Sequence, residues 1–359
     1  MDYRGGASWK QILCQSITTP DALPTSIEID RAPLQKVIAR YPMRINPYYL
    51  GLIKEKDDPV YKQCVPDLRE IVNEAGFDDP LNEEGCSPVP GLTHRYPDRV
   101  LFLISSCCAM YCRFCNRKRK VGRSMVSRSS IREGLAYIRG HREIRDVLLS
   151  GGDPLLLENR ELFHILRDLR SMTHVEIIRI GTRVPCTLPQ RITPQLARML
   201  GSFKPLYINT HFNHPDEITP EAALACSRLA NAGIPLGCQT VLLRGVNDDP
   251  RIIKRLMHGL LRIRVKPYYI FQGDMTEGTD HFRTPINKGL AIMKSLIGHT
   301  SGMAVPKFAV DAPGGGGKIP LQPDYVHHFG ANLVFSNFCG DICSYQDAGA
   351  RGQVTGDRG

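Results

Sequence analysis

The chain has no apolar run of the roughly 18 residues that a membrane-spanning helix needs, so no such helix is expected. Its N-terminal stretch lacks a charged head followed by an apolar run, so no secretory signal is expected either. Twelve cysteines without that signal point to a reducing cytoplasm, with metal or catalytic uses for the thiols. Acidic residues are the scarcer charge, 36 against 46 basic, which leaves a net charge of +10. The basic residues are not interleaved with aromatics in the way of RNA-binding modules, so the excess alone does not indicate nucleic acid. A Walker A loop is missing too. Four glycines precede Lys318, but Ala312 stands where that motif needs glycine and Ile319 where it needs Ser or Thr.

What is present begins with Cys108, Cys112 and Cys115, spaced Cys-x-x-x-Cys-x-x-Cys. Three thiolates in one loop can hold three corners of a [4Fe–4S] cube and leave the fourth iron open to a chelating small molecule. Zinc in a closed structural site wants four ligands, usually as two Cys-x-x-Cys pairs, and only one pair is here. Arg113, Arg117, Lys118, Arg119, Lys120 and Arg123 crowd the loop. They are expected to lower the thiol pKa values and to help hold a negative cluster.

The chain divides into four stretches. Residues 1–90 read as a mainly helical extension, with helical spacing over Ser8–Thr18, Asp30–Tyr41 and Asp58–Ala75. Ser26 or Asp30 is the expected cap of the second helix. Residues 91–300 alternate short apolar runs with helical patterns six times, from Val100–Ile104 to Lys266–Phe271. Such runs suit parallel strands buried on both faces, and the repeat predicts an α/β fold, a parallel barrel or part of one. Chemistry in such barrels collects at the C-terminal ends of the strands, where the cysteine loop emerges. Residues 301–345 hold a run at Pro306–Val310 that suits a further strand, the glycine–lysine loop and a C-terminal segment, and residues 346–359 a Gly-, Arg- and Asp-rich tail expected to be disordered.

The run Gly314–Gly317 before Lys318 suits a mobile loop that carries an amine into the barrel, where it can bind an aldehyde cofactor. With this loop, the cysteine motif and the segments 87–99, 149–153, 209–215 and 281–285, the chain resembles the lysine 2,3-aminomutases from about residue 8 to 345. These are radical S-adenosylmethionine (SAM) enzymes that also use pyridoxal 5'-phosphate (PLP). The resemblance implies a partial (β/α)6 TIM-like barrel with a helical N-terminal extension. It implies a 1,2-amino shift between L-lysine and β-lysine, started by a 5'-deoxyadenosyl radical on a PLP-bound substrate. Its cofactors would be a [4Fe–4S] cluster on Cys108, Cys112 and Cys115, SAM and PLP.

The family's roles then fall on matching positions. Lys318 would anchor PLP, with Arg95, Tyr96 and Arg99 beside it. Gly151, Gly152, Asp153, Asn209, His211 and Gln239 would surround SAM. Arg117 would take the substrate carboxylate through its planar fork. Asp274 and Asp311 would hold the distal ammonium of lysine, and two carboxylates would repel a glutamate side chain. The partners implied are L-lysine and an electron donor such as a flavodoxin or ferredoxin. No membrane or nucleic acid is expected, and a homo-oligomer stays open.

Departures from the family are visible. Asp249 replaces a loop cysteine, the tail lacks the clustered cysteines of a zinc segment, and Phe271 stands where tyrosine is common. No zinc is expected. Alternatives remain: another cationic amino acid, a protein-bound lysine, or a radical SAM enzyme acting on RNA.

Overall fold

The computed structural model describes residues 8–346 and 348, apart from 26, 28, 73, 74, 124 and 125. One sheet dominates it. Its strands are β1 (Leu92–Tyr96), β2 (Arg99–Ser105), β3 (Asp146–Gly151), β4 (Ile177–Gly181), β5 (Leu206–Thr210), β6 (Leu236–Leu242), β7 (Lys266–Gln272), β8 (Lys307–Ala312) and β9 (Gly317–Leu321). They lie side by side in chain order. Every pair from β2 to β8 is parallel, while β1 and β9 run antiparallel to their neighbours.

The six expected strands are all present, as is the further one read at Pro306–Val310, and the sheet runs past them at both ends. Lys307–Ala312 pairs in parallel with β7, and an antiparallel strand flanks each end. The result is a nearly closed barrel. β9 and β1 meet through one side chain: the Lys318 backbone N–H donates to the Tyr96 hydroxyl at 3.0 Å.

Several helices between strands start at a side-chain cap. Thr219 accepts from the Ala222 N–H ahead of Pro220–Asn231. Asp249 accepts from the Arg251 N–H ahead of Pro250–Arg262, so the residue that replaces a family cysteine serves as an N-cap. The apolar faces of these helices pack on the sheet in one continuous core that includes Val147, Leu149, Ile178, Ile180 and Ile208, all with no exposed surface.

The N-terminal extension forms short helices at Trp9–Cys14, Arg31–Arg40, Pro47–Leu50, Pro59–Cys64 and Arg69–Val72. Asp30 caps the second; Ser26 lies outside the described residues. The helical spacing over Asp58–Ala75 yields two short helices that part around Pro66, which has no N–H to continue the ladder.

Two further expectations need correction. The glycine run is not an open loop. It is the tight turn between β8 and β9, with Gly314, Gly315 and Gly317 at φ of 69°, 92° and 86°, where side chains are strained. Beyond it, β10 (Val326–His328), β11 (Asn332–Ser336) and β12 (Ile342–Gln346) make a small antiparallel sheet that the apolar spacing does not reveal. Of the tail expected to be disordered, residues 347 and 349–359 lie outside the described residues.

Candidate active site

The cysteine loop leaves the end of β2 and is braced from two sides. On one side is the turn after β3. The Gly152 N–H donates to the Ser105 carbonyl and the Asp153 N–H to the Cys107 carbonyl, both at 2.6 Å. A Cβ on Gly151 would stand 2.0 Å from the Ser105 carbonyl oxygen, and one on Gly152 2.4 Å from that of Cys107. Only glycine fits either position. On the other side is the extension. Tyr111 N–H donates to the Arg44 carbonyl at 3.0 Å, Arg113 N–H to that of Gln63 at 2.9 Å, and the Asn46 amide to that of Ala109 at 3.1 Å.

The basic residues of the loop are mostly taken up by acids; Arg117 and Lys118 still pull the Cys115 thiol down, but burial outweighs them. Arg113 and Lys118 both bind Glu70 of the extension, in a triad that is almost fully buried. Arg117 and Arg119 bind Glu83, and Lys120 binds Glu84. Each of these five cations is paired with an acid that precedes the barrel. Burial pushes the Cys108 thiol up, and burial with the neighbouring Cys112 pushes Cys115 up to about 11. The cation that does reach a ligand sulfur comes from elsewhere. Arg183, after β4, donates from Nη1 to Cys112 Sγ at 2.9 Å.

A cavity of about 570 Å³ opens at the C-terminal ends of the strands, and every site residue singled out above lines it. Cys108, Cys112 and Cys115 face it together. Among the described residues no three Cys, His, Asp or Glu side chains converge on a single ion. Three thiols that each hold a different iron of a cube need not converge in that way.

The lysine and the carboxylates lie in the same cavity. Lys318 is on β9, directly across from Asp311 on β8. Its ammonium lies 3.0 and 2.9 Å from the two Asp311 oxygens and 4.8 Å above the Phe271 ring. Asp274 follows β7 and accepts from the Asn116 amide at 2.9 Å. Burial first, then the charge of Asp311, raises Asp274 to about 6.

Arg95 donates to the Leu81 carbonyl, and its buried Nε has no partner. The Arg99 guanidinium sits 3.8 Å over the Tyr96 ring. Arg117 presents one edge to Glu83, with Nε at 2.9 Å and Nη2 at 2.6 Å from Oε1, and turns Nη1 towards Ser150. Burial works against the Glu83 charge, but Arg117 with Lys120 and Arg119 outweighs it and holds that carboxyl down at about 2.

Of the residues expected around SAM, Asn209 has a buried Nδ2 without a partner, Gln239 faces the cavity from β6, and His211 shares a hydrogen bond of 2.9 Å with Asn213. Burial pushes His211 down to about 3, so its ring is neutral at pH 7. Asp153 differs from expectation. Its carboxylate accepts from the Thr182 hydroxyl and from the Leu155, Arg183 and Val184 N–H groups, so it shapes the turn and has little capacity left for a ligand.

Sequence reasoning missed Glu83, Asn116 and Arg183. Asn116 sits inside the cysteine motif, next to Cys115, and that adjacency was the one available signal for it.

Comparison with known proteins places these features in context. A family model described as lysine-2,3-aminomutase matches residues 293–357, and one described as the radical SAM superfamily matches 102–256. The chain is 50% identical to an L-lysine 2,3-aminomutase of Methanococcus maripaludis, over 94% of this chain and 81% of that protein. It is 53% identical to one of Clostridium subterminale, over 85% of this chain and 75% of that protein. It is also 46% identical to a glutamate 2,3-aminomutase of Clostridioides difficile, over 91% of this chain and 79% of that protein.

Proposed function

This chain belongs to the lysine 2,3-aminomutase family, and from that membership we propose that it interconverts L-lysine and β-lysine by a radical 1,2-amino shift. It is an isomerase whose cofactors are a [4Fe–4S] cluster, SAM and PLP. The observation that carries the choice of substrate is the cavity that holds Asp274 and Asp311 together with Lys318 and the three cysteines. Overall identity does not separate lysine from glutamate, because both kinds of relative score near one half. The paired carboxylates support lysine. They favour a cationic side chain and leave a glutamate carboxylate facing two like charges.

The residues present fit these groups. Lys318 supplies an amine for PLP, and the unpartnered Nε of Arg95, with Arg99 and Tyr96, suits its phosphate. The unpartnered Asn209 amide, with Gln239, His211 and the backbone of Gly151 and Gly152, suits SAM. Cys108, Cys112 and Cys115 suit three irons of a cluster. When bound, these groups supply a carbon-centred radical and a π system through which nitrogen can migrate.

The chain supplies position and dryness. Arg117 keeps Nη1 available for the substrate carboxylate while Glu83 fixes its other edge. Asp274 and Asp311 hold the distal ammonium. Lys318 and that ammonium both suit Asp311, so Lys318 must leave the carboxylate when the substrate is seated. Enclosure at the strand ends keeps water from a radical.

The reducing electron is assigned to a small donor protein such as a flavodoxin or ferredoxin. The setting is the cytoplasm, consistent with twelve free cysteines. A homo-oligomer is part of the same proposal, because Phe329, Ile342 and Tyr345 of the C-terminal segment are exposed apolar side chains. Analytical ultracentrifugation tests that part.

The activity is tested anaerobically. The protein is reconstituted with iron, sulfide and PLP, reduced with dithionite, and given SAM and L-lysine. β-Lysine formed without stoichiometric loss of SAM is the expected result. A loaded enzyme that acts on glutamate and not on lysine would move the substrate, and SAM cleavage by a protein that takes up no PLP would remove the aminomutase reading.

A further inference from the structure

Arg183 lies outside every motif above, yet it is the one side-chain cation among the described residues seen to hydrogen-bond a sulfur of the cysteine triad. It follows β4 and is 8% exposed. Nη1 donates to Cys112 Sγ at 2.9 Å, while Nη2 donates to Gln63 Oε1 at 2.6 Å and to Glu217 Oε1 at 2.7 Å. Glu217 is itself pinned, accepting from the Tyr49 hydroxyl at 2.6 Å and from the N–H groups of Asn213 at 2.6 Å and His214 at 2.9 Å. Gln63 belongs to the N-terminal extension and Glu217 follows β5, so the guanidinium is fixed by elements distant in sequence. It cannot easily turn away from the sulfur.

We propose that Arg183 is a positioning residue of the iron–sulfur cluster, orienting Cys112 as a ligand and raising the cluster's reduction potential through its hydrogen bond to that sulfur. The inference rests on the cluster reading of the cysteine loop. Reduction adds one electron, taken from an external one-electron donor, to a cluster held by three thiolates. A hydrogen bond and positive charge at a ligand sulfur stabilise the more negative, reduced state. Glu217 balances the charge of Arg183, so the effect is directional. It depends on the guanidinium N–H aimed at sulfur, which an ammonium on a shorter stem cannot reproduce while also reaching Gln63 and Glu217.

The test uses the full chain, reconstituted anaerobically with iron and sulfide. Arg183→Gln and Arg183→Lys are compared with wild type for iron content and for midpoint potential by a dithionite titration read by electron paramagnetic resonance. The expected result is unchanged iron content and a potential more negative than wild type, further so for Arg183→Gln, where Glu217 is left unbalanced. A fully loaded Arg183→Lys or Arg183→Gln with the wild-type potential would overturn the proposal. Should both variants lose the cluster, wild type decides. Protein grown with arginine labelled with ¹⁵N in the guanidinium group should show a nitrogen hyperfine coupling to the reduced cluster, and its absence overturns the proposal. A wild-type chain that assembles no cluster at all would remove the cluster reading as well, which separates the two failures.

Discussion

Asp274 is the residue whose environment says most about working conditions. Burial and the charge of Asp311 raise it to about 6 against the opposing pull of Asn116, Lys318 and Arg117. Before substrate binds, it therefore takes up a proton as pH falls through 6. A cationic substrate needs it ionised, so binding must expel that proton. Lysine affinity should be flat above pH 7 and fall about tenfold per unit well below 6. The KM for lysine measured from pH 5 to 8 checks this, and Asp274→Asn should raise KM throughout while abolishing the slope. Lys318→Ala makes a complementary case. It should lose PLP absorbance and turnover yet keep the cluster, and full activity in that variant would remove PLP from the site. These residues were legible in the sequence because each sits in or beside a recognisable segment. Their partners were not. Asn116 and Asp274 are separated by 158 positions, Cys112 and Arg183 by 71, and Arg117 and Glu83 by 34. No local pattern marks a contact over such distances, and the run of basic residues beside the cysteines invited the wrong pairing.

The turn after β3 shows how closely one element can set another. Gly151 has φ of +135°, and a Cβ there would lie 2.0 Å from the Ser105 carbonyl oxygen. Gly151→Ala must push the cysteine loop away from β3 or distort the turn, at a cost of about 1–3 kcal/mol from backbone strain alone. The clash adds to that. The expected outcome is a lower melting temperature and substoichiometric iron after reconstitution, read by thermal denaturation and iron analysis. The strands and the longer helices were legible, because near-continuous apolar runs and 3.6-residue periodicity report burial directly. The β8–β9 hairpin was not, because a run of glycines carries no periodicity and looks the same in a turn as in an open loop. The small sheet β10–β12 was hidden for the opposite reason: most of its side chains are exposed or only partly buried, so the pleat leaves no alternation to see.

The barrel and its N-terminal extension are joined by a buried triad, and its energetics predict how the whole molecule fails. Glu70 is 1% exposed and lies between Arg113, also 1% exposed, and Lys118 at 6%. Burial opposes the charges of Glu70 and Lys118. At Lys118 burial wins and pulls the ammonium down to about 8. At Glu70 the two cations win over burial and hold the carboxyl below its ordinary value of 4.5. Of the two cations, the Arg113 guanidinium acts more strongly on Glu70. A carboxyl lowered by folding adds stability that is complete above its unfolded pKa and lost as pH falls below about 4.5. Acid should therefore loosen the extension from the barrel. Glu70→Gln should do the same at neutral pH, leaving Arg113 as an uncompensated buried charge at a cost of about 3–5 kcal/mol. The hydrogen bonds that brace the cysteine loop from Arg44, Asn46 and Gln63 belong to the same extension, so the loss should reach the cluster. Urea unfolding of Glu70→Gln at pH 7, with iron retention followed in parallel, checks both consequences. Iron released at a lower urea concentration than wild type is expected. Wild-type stability in that variant would show that the triad is not what couples the two parts.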